Sequence, residues 1–450
     1  MTILNKLEPL ALFLGDIVAF SLALWVTLFV RSWAVPSLSL LESFITPFSI
    51  LFIVWVLVFY IAGLYEKHTS ILRGRISSII LNAHIANMLI AFLFFYFVPI
   101  FGIAPKTTLI IYLFVSFGFI VFWRLYGINF FISGRKDKAI IVGSGEEMLE
   151  LYEEVKNNGR YNFYFVSCID VDEIVNFDFQ KEIADKIKSE DIETIVIDIR
   201  HKNIEPILSS FYNLIFSNVN FLEMSKVYED IFDRIPLSTL RDGWFIENVS
   251  TSPKIVYDIL KRIMDITVGV ILGIISLIIY PFVYIGIKLD DGKELFSAQD
   301  RVGENNKIVK ILKFRTMTFA NDGGKWKEEG LQNKVTKFGV FLRKTRIDEL
   351  PQLWNVVHGD ISLIGPRPEF FNAVSKYNEE IPYYNVRHLI KPGLSGWAQI
   401  YGEHPHHEAD VSMTKNKLSY DLYYLKNRSF LLDLKIALRT IAQLLSQKGK

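Results

Sequence analysis

Four long apolar segments dominate the first 130 residues, and short polar connections separate them. They cover residues 9–30, 44–65, 79–101 and 108–124. Each approaches the roughly 20 residues that a helix needs to cross a hydrocarbon core. The first segment is too long for a cleaved signal peptide and lacks a small-residue cleavage site, so we expect it to remain as a span. The pattern predicts a four-helix membrane bundle over residues 1–130.

Basic residues in the connections predict the orientation of this bundle. The second connection and the segment after the fourth span are basic, whereas the first and third connections offer only Arg31 and Lys106. The positive-inside bias therefore places both ends of the bundle in the cytosol. The basic residues are Lys67, Arg73, Arg75, Arg124, Arg135, Lys136 and Lys138.

Polar residues inside the spans allow two interpretations. Asp16, Asn82, His84 and Asn87 could mark a transport path, or they could form hydrogen bonds between helices. The second interpretation is favoured, with Asp16 and His84 near enough to the interface to reach lipid headgroups.

The pattern changes to α/β after Lys138. Strands are predicted at 139–142, 164–169 and 194–199, with an amphipathic helix at 146–157, which indicates a Rossmann-like domain over residues 131–250. Met148 stands where a third glycine would allow close packing, and Glu146 and Glu147 would repel a pyrophosphate at the helix start. An accessory structural domain is therefore favoured over a dinucleotide site.

A fifth apolar segment, 268–287, decides the architecture of the remainder. A plain crossing would export many basic residues beyond it, and Lys261 and Arg262 also lie just before it. Because both flanks are basic, we predict a re-entrant helix near residues 266–287 that breaks at Pro281 and returns to the same face. A plain fifth span is the alternative. The catalytic domain is predicted over residues 251–450.

Cationic residues follow this segment. Residues 308–317 alternate as in a strand, which places Lys313 and Arg315 on one side, where they suit a diphosphate or form a solvated face. Arg367 lies between Pro366 and Pro368, so a stiff loop presents its guanidinium for phosphate recognition.

An acidic pair, Asp348 and Glu349, precedes an apolar helical pattern. Pro351 is comfortable in a first turn, so the helix should begin beside the pair, where its positive end favours ionised carboxylates. Such a carboxylate can attack phosphorus or bind a divalent metal. Simple N-capping by Asp348 is the alternative. Arg346, with its neighbours Arg343 and Lys344, favours an anion site.

Other features narrow the choice of function. The 450 residues contain 49 Lys and Arg against 48 Asp and Glu, which excludes a globally basic nucleic-acid binder. A single cysteine, Cys168, excludes an internal disulfide framework. A zinc site at His404, His406, His407 and Glu408 is disfavoured because two of the histidines are adjacent and no cysteine completes the set. Residues 430–445 predict an amphipathic helix in the membrane interface.

Several motifs in fixed order resemble the bacterial sugar transferase family, the monotopic polyprenyl-phosphate phosphoglycosyl transferases. The resemblance covers about residues 255–450, and the bundle with its Rossmann-like domain is similar to the large members that initiate exopolysaccharide or O-antigen synthesis. The motifs are Lys261-Arg262 to Asp265, the segment broken at Pro281, residues 313–317, 348–352, 366–368, 391–399 and 420–424.

The resemblance implies a two-step transfer. Asp348 would attack the β-phosphate of a UDP-sugar and release UMP, and undecaprenyl phosphate would then accept the phosphosugar, assisted by Glu349. Mg²⁺ would be held by Asp348 and Glu349 and would neutralise the diphosphate. The enzyme would work at the cytoplasmic face of the bacterial inner membrane, and the large members suggest a homodimer. Substrate binding is expected from Lys313, Arg315, Arg346, Arg367, Lys261 and Arg262.

Two departures and two rival functions accompany this prediction. The family usually has Ser before the membrane proline, where this chain has Tyr280, and residues 290–294 replace the usual Pro-Gly turn. A membrane-bound nucleotide-sugar dehydratase would need a catalytic Tyr-x-x-x-Lys, and Tyr152 to Lys156 matches that spacing only inside the first helix of the Rossmann-like domain. A non-enzymatic scaffold would not depend on the acidic pair.

Overall fold

The computed structural model forms two compact units, Met1–Asp230 and Ile231–Lys450. It describes residues 7–65, 73–98, 106–127, 136–159, 161–172, 187, 189–204, 219–249, 254–318, 334–402 and 411–445.

Four long helices make up the N-terminal part of the first unit: α1 (Leu7–Ser32), α2 (Leu38–Ile61), α3 (Arg73–Phe97) and α4 (Lys106–Phe122), the last continued by a π-helical turn, Trp123–Gly127. Each contains a stretch long and apolar enough to cross a membrane. Large aromatic side chains such as Phe20, Phe48, Trp55 and Tyr112 fill the space between the helices. The described residues therefore agree with the predicted four-span bundle. Lys67 and Arg135, which contributed to the predicted orientation, lie outside them.

A polar cluster lies inside this bundle. Asp16 is fully buried, and its carboxylate accepts hydrogen bonds from Arg124 Nε at 3.2 Å and from Tyr65 Oη at 2.7 Å. Arg124 Nη1 also donates to the Leu64 carbonyl at 2.6 Å. Hydrogen bonding between helices is therefore what the structure shows for Asp16. The prediction that Asp16 and His84 reach headgroups is wrong, because both are enclosed by neighbouring helices.

A parallel sheet follows in the first unit, with strands β1 (Asp137–Gly143), β2 (Phe163–Asp170), β3 (Thr194–Ile197) and β4 (Asn220–Glu223). In the described residues its order is β2-β1-β3-β4, and helix α5 (Glu146–Asn157) follows β1. Met148 is fully buried, which agrees with a side chain that packs in the core of the domain rather than one that leaves room for a ligand. Tyr152 stacks on Phe165, as expected of a residue that packs α5 against the sheet.

The second unit begins earlier than the predicted residue 251. Helix α6 (Met224–Phe232) leads into a 3₁₀ turn (Leu237–Thr239) and helix α7 (Asp242–Asn248). Ile235 and Trp244 are buried in the core of the second unit, together with Leu418 and Leu422. Residues 231–249 therefore complete the core of the catalytic part, which no local pattern in the sequence indicated.

Two helices then form a bent pair, α8 (Ile255–Leu277) and α9 (Tyr280–Asp290), with an angle of 54° between them. The pair is apolar enough to be one further span. The break falls at Ile278 and Ile279, immediately before Tyr280 and Pro281, because Pro281 lacks the amide hydrogen that would continue the ladder. Pro281 occupies the first turn of α9, where that loss is tolerated.

The remaining elements build a small α/β core. They are β5 (Phe296–Val302), a 3₁₀ turn (Glu304–Asn306), β6 (Ile308–Phe314), α10 (Lys337–Lys344), a 3₁₀ turn (Ile347–Glu349), α11 (Gln352–His358), β7 (Ser362–Ile364), α12 (Phe371–Glu380), a 3₁₀ helix (Tyr384–Leu389), β8 (Gly393–Ser395), α13 (Trp397–Tyr401), α14 (Val411–Asn427) and α15 (Phe430–Leu445). Strands β5 and β6 pair antiparallel, and β7 pairs with β8 in parallel. The predicted C-terminal amphipathic helix is α15, and it leaves Leu431 and Leu444 exposed.

Candidate active site

The acidic pair lies in a 3₁₀ turn between two helices. Helix α10 ends at Lys344, Arg346 adopts a left-handed conformation with φ of 57°, and Pro351 is the N-cap of α11. Ile347 and Leu350 anchor the turn because they pack in a cluster with Val283 and Ile287 of α9. Asp348 and Glu349 are thus fixed between two apolar anchors.

Glu349 is the counter-ion of three cations. Its Oε1 atom lies 2.9 Å from Lys313 Nζ, 3.4 Å from Arg367 Nη2 and 3.8 Å from Arg346 Nη1. Burial alone would raise the pKa of Glu349, but the charges of Lys313 and Arg367 outweigh it and lower the pKa to about 2. Glu349 is therefore an ionised residue that holds the cations in place.

Asp348 has a different environment. It is only 7% exposed, and its Oδ1 atom has no hydrogen-bond partner among the described residues. Burial, followed by the charge of Glu349, raises the pKa of Asp348 above its usual value. The ionised form that was expected for both members of the pair is therefore favoured at Glu349 but disfavoured at Asp348. The N-cap alternative is wrong, because the N-cap of α11 is Pro351.

The loop that presents Arg367 is held by two other arginines. Arg387 Nη2 donates to the Arg367 carbonyl at 2.9 Å, and Arg301 Nη1 donates to the Pro368 carbonyl at 3.1 Å. Arg387 is itself buried and paired with Asp421 at 2.7 Å. The sequence predicted that prolines alone would make this loop stiff. The structure shows that two guanidinium groups also fix its backbone.

The two cations predicted on one strand face differ in their surroundings. Strand β6 ends at Phe314, so Arg315 lies just beyond it, and its guanidinium is 3.7 Å from Glu294. Arg315 is buried, and its Nε atom has no hydrogen-bond partner in the described part of the chain. Lys313 thus contacts Glu349 of the acidic pair directly, whereas the Arg315 guanidinium pairs with Glu294.

Lys261 and Arg262 make structural contacts. Lys261 Nζ lies 2.9 Å from Asp433 Oδ2 on α15. Arg262 donates to the carbonyls of Val356 and Val357, each at 2.8 Å. Both residues thus join α8 to the catalytic core, and substrate binding by them remains a prediction.

Three residues in this site were given no role by the sequence. Gln352 is 5% exposed and follows Asp348 by four residues, and its Nε2 atom has no hydrogen-bond partner within the described ranges. Arg387 and Asp421 form the buried pair behind the Arg367 loop. Gln352 and Asp421 stand inside quoted motifs, which was a usable signal. Arg387 stands in no motif, so only the folded structure shows its role.

Tyr280, which departs from the usual Ser, has a clear partner. Trp354 Nε1 of α11 donates to Tyr280 Oη at 3.2 Å, and the Tyr280 ring packs edge-on against Phe314. The bend of the α8–α9 pair is therefore tied to the helix that follows the acidic pair.

The residues present fit a metal only in part. The described residues contain no group of three or more His, Cys, Asp or Glu that could hold an ion. The buried, unpartnered Oδ1 atom of Asp348 suits one ligand of Mg²⁺, which is commonly bound by one or two carboxylates together with substrate phosphates. The histidines at 404, 406 and 407 lie outside the described residues.

Comparison with known proteins decides the family. The model of the family described as "Bacterial sugar transferase" matches residues 256–447. An uncharacterized sugar transferase of Bacillus subtilis, EpsL, is 40% identical over 193 residues, which cover 42% of this chain and 90% of that protein. The chain belongs to the bacterial sugar transferase family. The family predicted from the ordered motifs is thereby confirmed.

Two relatives of this bacterial sugar transferase have specific names. A UDP-N-acetylgalactosamine-undecaprenyl-phosphate N-acetylgalactosaminephosphotransferase of Aeromonas hydrophila is 34% identical over 260 residues, 57% of this chain and 60% of that protein. A UDP-glucose:undecaprenyl-phosphate glucose-1-phosphate transferase of Caulobacter vibrioides is 34% identical over 218 residues, 48% of this chain and 79% of that protein. The chain therefore spans less than two thirds of the Aeromonas relative.

Proposed function

We propose that this bacterial sugar transferase moves a sugar 1-phosphate from a UDP-sugar to undecaprenyl phosphate and releases UMP. The names of the Aeromonas and Caulobacter relatives support this donor and acceptor. The observation that favours it most is the buried Oδ1 atom of Asp348, which has no hydrogen-bond partner among the described residues. The neighbouring carboxylate, Glu349, is instead paired with Lys313 and Arg367.

In the first step an oxygen of Asp348 attacks the β-phosphorus of the UDP-sugar. A new phosphorus–oxygen bond forms, the bond to the bridging oxygen breaks, and its electron pair leaves with UMP. Burial of Asp348 keeps competing water away from the resulting acyl phosphate. Lys313 and Arg367, held by Glu349, offset the negative charge of the diphosphate as the bond breaks.

In the second step an oxygen of undecaprenyl phosphate attacks the same phosphorus. The bond to Asp348 breaks, the carboxylate is restored, and the product is an undecaprenyl diphosphosugar. Mg²⁺, held by Asp348 and the substrate phosphates with Glu349 nearby, would supply charge neutralisation. Gln352 Nε2 and Arg315 Nε are buried donors for phosphoryl oxygens in both steps.

The location follows from the acceptor. Its prenyl tail cannot leave the bilayer, so the site works at headgroup depth on the cytoplasmic face of the inner membrane. The basic flanks of α8 and α9 support a re-entrant helix over a fifth crossing, and the 54° bend between the two helices is compatible with it. The parallel sheet fits a Rossmann-like accessory domain, because the order β2-β1-β3-β4 is that of doubly wound sheets. A homodimer and a place in exopolysaccharide, capsule or O-antigen synthesis belong to the same proposal.

UMP release from a panel of UDP-sugars, with and without undecaprenyl phosphate, tests this function. Asp348→Asn should abolish UMP release, since an amide cannot attack phosphorus. Asp300→Asn is the matched control, because Asp300 is exposed on β5. Undiminished release by Asp348→Asn would refute the assignment of the nucleophile, and a scaffold would show no release from any donor.

A further inference from the structure

One face of helix α8 is made of small and polar residues, although most of the helix is apolar. Arg262, Asp265, Gly269 and Gly273 follow one another at spacings of three, four and four residues, which places them along one side of the helix. Asp265, Gly269 and Gly273 are buried in the structure.

Arg262 holds the C-terminal end of α11, the helix that follows the acidic pair. Its two terminal nitrogens donate to the Val356 and Val357 carbonyls at 2.8 Å each. Carbonyls in the last turn of a helix lack partners within that helix, so a bidentate guanidinium stabilises this end. Gly359, with φ of 101°, ends the helix under Arg262, where an added Cβ would come within 3.2 Å of Nη2.

The two glycines bring α11 against α8 along its length. A Cβ at Gly269 would lie 3.1 Å from Val357 Cγ2, and a Cβ at Gly273 would lie 3.4 Å from the Trp354 ring. Contacts on α11 move toward its start as those on α8 move toward the bend, so the two helices run in opposite directions. The acidic pair, which precedes α11, is therefore at the end nearest the bend.

Asp265 holds the other segment of the site. Its Oδ1 atom accepts a hydrogen bond from the Leu363 amide at 3.1 Å, and Asp265 is 4% exposed. Leu363 lies in β7, which leads directly into the loop that presents Arg367. One turn of α8 thus binds the helix after the acidic pair through Arg262 and the strand before Arg367 through Asp265.

We propose that Arg262 and Asp265 are positioning residues that set the height of the acidic pair and of Arg367 relative to the membrane helix. This inference rests on the proposed function. The cations around Glu349 come from β6, the 3₁₀ turn and the Arg367 loop. A UDP-sugar that arrives from water therefore meets them whether or not α8 keeps its position along α11 and β7. The prenyl tail holds the acceptor phosphate at a fixed depth, so its attack on the adduct depends on the position of the acidic pair relative to α8.

The test separates the two half-reactions in full-length protein reconstituted in nanodiscs. Single-turnover UMP release without lipid acceptor measures adduct formation from UDP-N-acetylgalactosamine or UDP-glucose, and turnover with undecaprenyl phosphate in the bilayer measures transfer. For Arg262→Met we expect acceptor-dependent turnover to fall by at least ten-fold more than adduct formation does, since a misplacement of about 1 Å can cost 10²-fold. Arg262→Lys, which cannot span both carbonyls equally, should fall between.

Asp265 supplies the rescue that a purely structural defect would not show. Asp265→Asn keeps the Oδ1 acceptor for the Leu363 amide and should behave as wild type, whereas Asp265→Ala should reproduce the Arg262→Met result. Lys288→Met is the control on the same helix pair, because Lys288 is exposed, donates to the nearby Gly292 carbonyl and lies over the Tyr284 ring of its own helix.

Equal losses in both half-reactions, or no loss in either, would overturn the positioning role. Failure of the proposed function gives a different result, because wild-type protein would then release no UMP from any donor in the panel of UDP-sugars. A variant that does not fold is recognised by its elution profile, and Asp265→Asn against Asp265→Ala then decides the question.

Discussion

Removing the charge of Glu349 should loosen the turn that contains Asp348. The pKa of Glu349 is lowered from 4.5 to about 2, which at about 1.4 kcal/mol per pH unit corresponds to about 3 kcal/mol at neutral pH. Loss of one partner from a buried ion pair costs roughly 3–5 kcal/mol, a similar amount. Because the Asp348 carboxylate also attracts Lys313, Lys313 keeps part of its stabilisation when the Glu349 charge is removed. We therefore expect Glu349→Gln to lower the local free energy of unfolding of this turn by about 2–3 kcal/mol.

Amide hydrogen exchange measured by mass spectrometry on peptides spanning residues 345–357 reports this loss. A local cost of about 2–3 kcal/mol accelerates exchange by roughly 30- to 150-fold at pH 7. The stabilisation by Glu349 is complete above pH 4.5 and is lost as the pH falls toward 2, so wild type should approach the variant in acid.

Glu380→Gln is the matched control for this measurement. Glu380 pairs with Lys376 at 3.7 Å on the exposed side of α12, and surface pairs contribute about 0–1 kcal/mol. Exchange in α12 should therefore change by at most about five-fold. If Glu349→Gln altered exchange at 345–357 no more than this control alters α12, the reasoning about Glu349 would be refuted.

Four further predictions concern the site. Arg387→Gln leaves Asp421 buried without its partner and frees the Arg367 carbonyl, so kcat/KM for UMP release should fall on the order of 100-fold; an unchanged value would contradict the anchoring role. Gln352→Leu should raise the KM for the UDP-sugar about ten-fold, since a buried donor is lost, and a change in kcat alone would argue against it. Because burial raises the pKa of Asp348 and only the anion attacks, UMP release should decline in acid at a higher pH than an ordinary aspartate would give, as a pH–rate profile will show. Chelation by EDTA should stop UMP release and added Mg²⁺ should restore it, whereas activity in EDTA would exclude the metal from the reaction.

Elements with a strong local pattern were predictable from the sequence. The amphipathic run predicted helix α5 with the observed ends, Glu146 and Asn157, and the four apolar segments predicted the bundle. Pro281 predicted the break between α8 and α9, because a missing amide hydrogen interrupts a helix whatever surrounds it.

Features that depend on distant contacts were not predictable. Glu349 receives Lys313 from 36 residues away and Arg367 from 18 residues away, so its role as a shared counter-ion appears only in the folded chain. The left-handed backbone at Arg346 begins a 3₁₀ turn that holds the acidic pair outside helix α11, which a helical pattern alone does not reveal. Burial then raises the pKa of Asp348, a direction opposite to that expected from a helix end.

The most direct measurement is the site of the covalent adduct. Full-length protein incubated with a UDP-sugar in the absence of undecaprenyl phosphate, then digested and analysed by mass spectrometry, should show a phosphosugar on the peptide containing Asp348. The adduct should disappear when undecaprenyl phosphate is added and should be absent from Asp348→Asn. An adduct on another residue, or UMP release that requires both substrates together with no adduct at any time, would contradict the account.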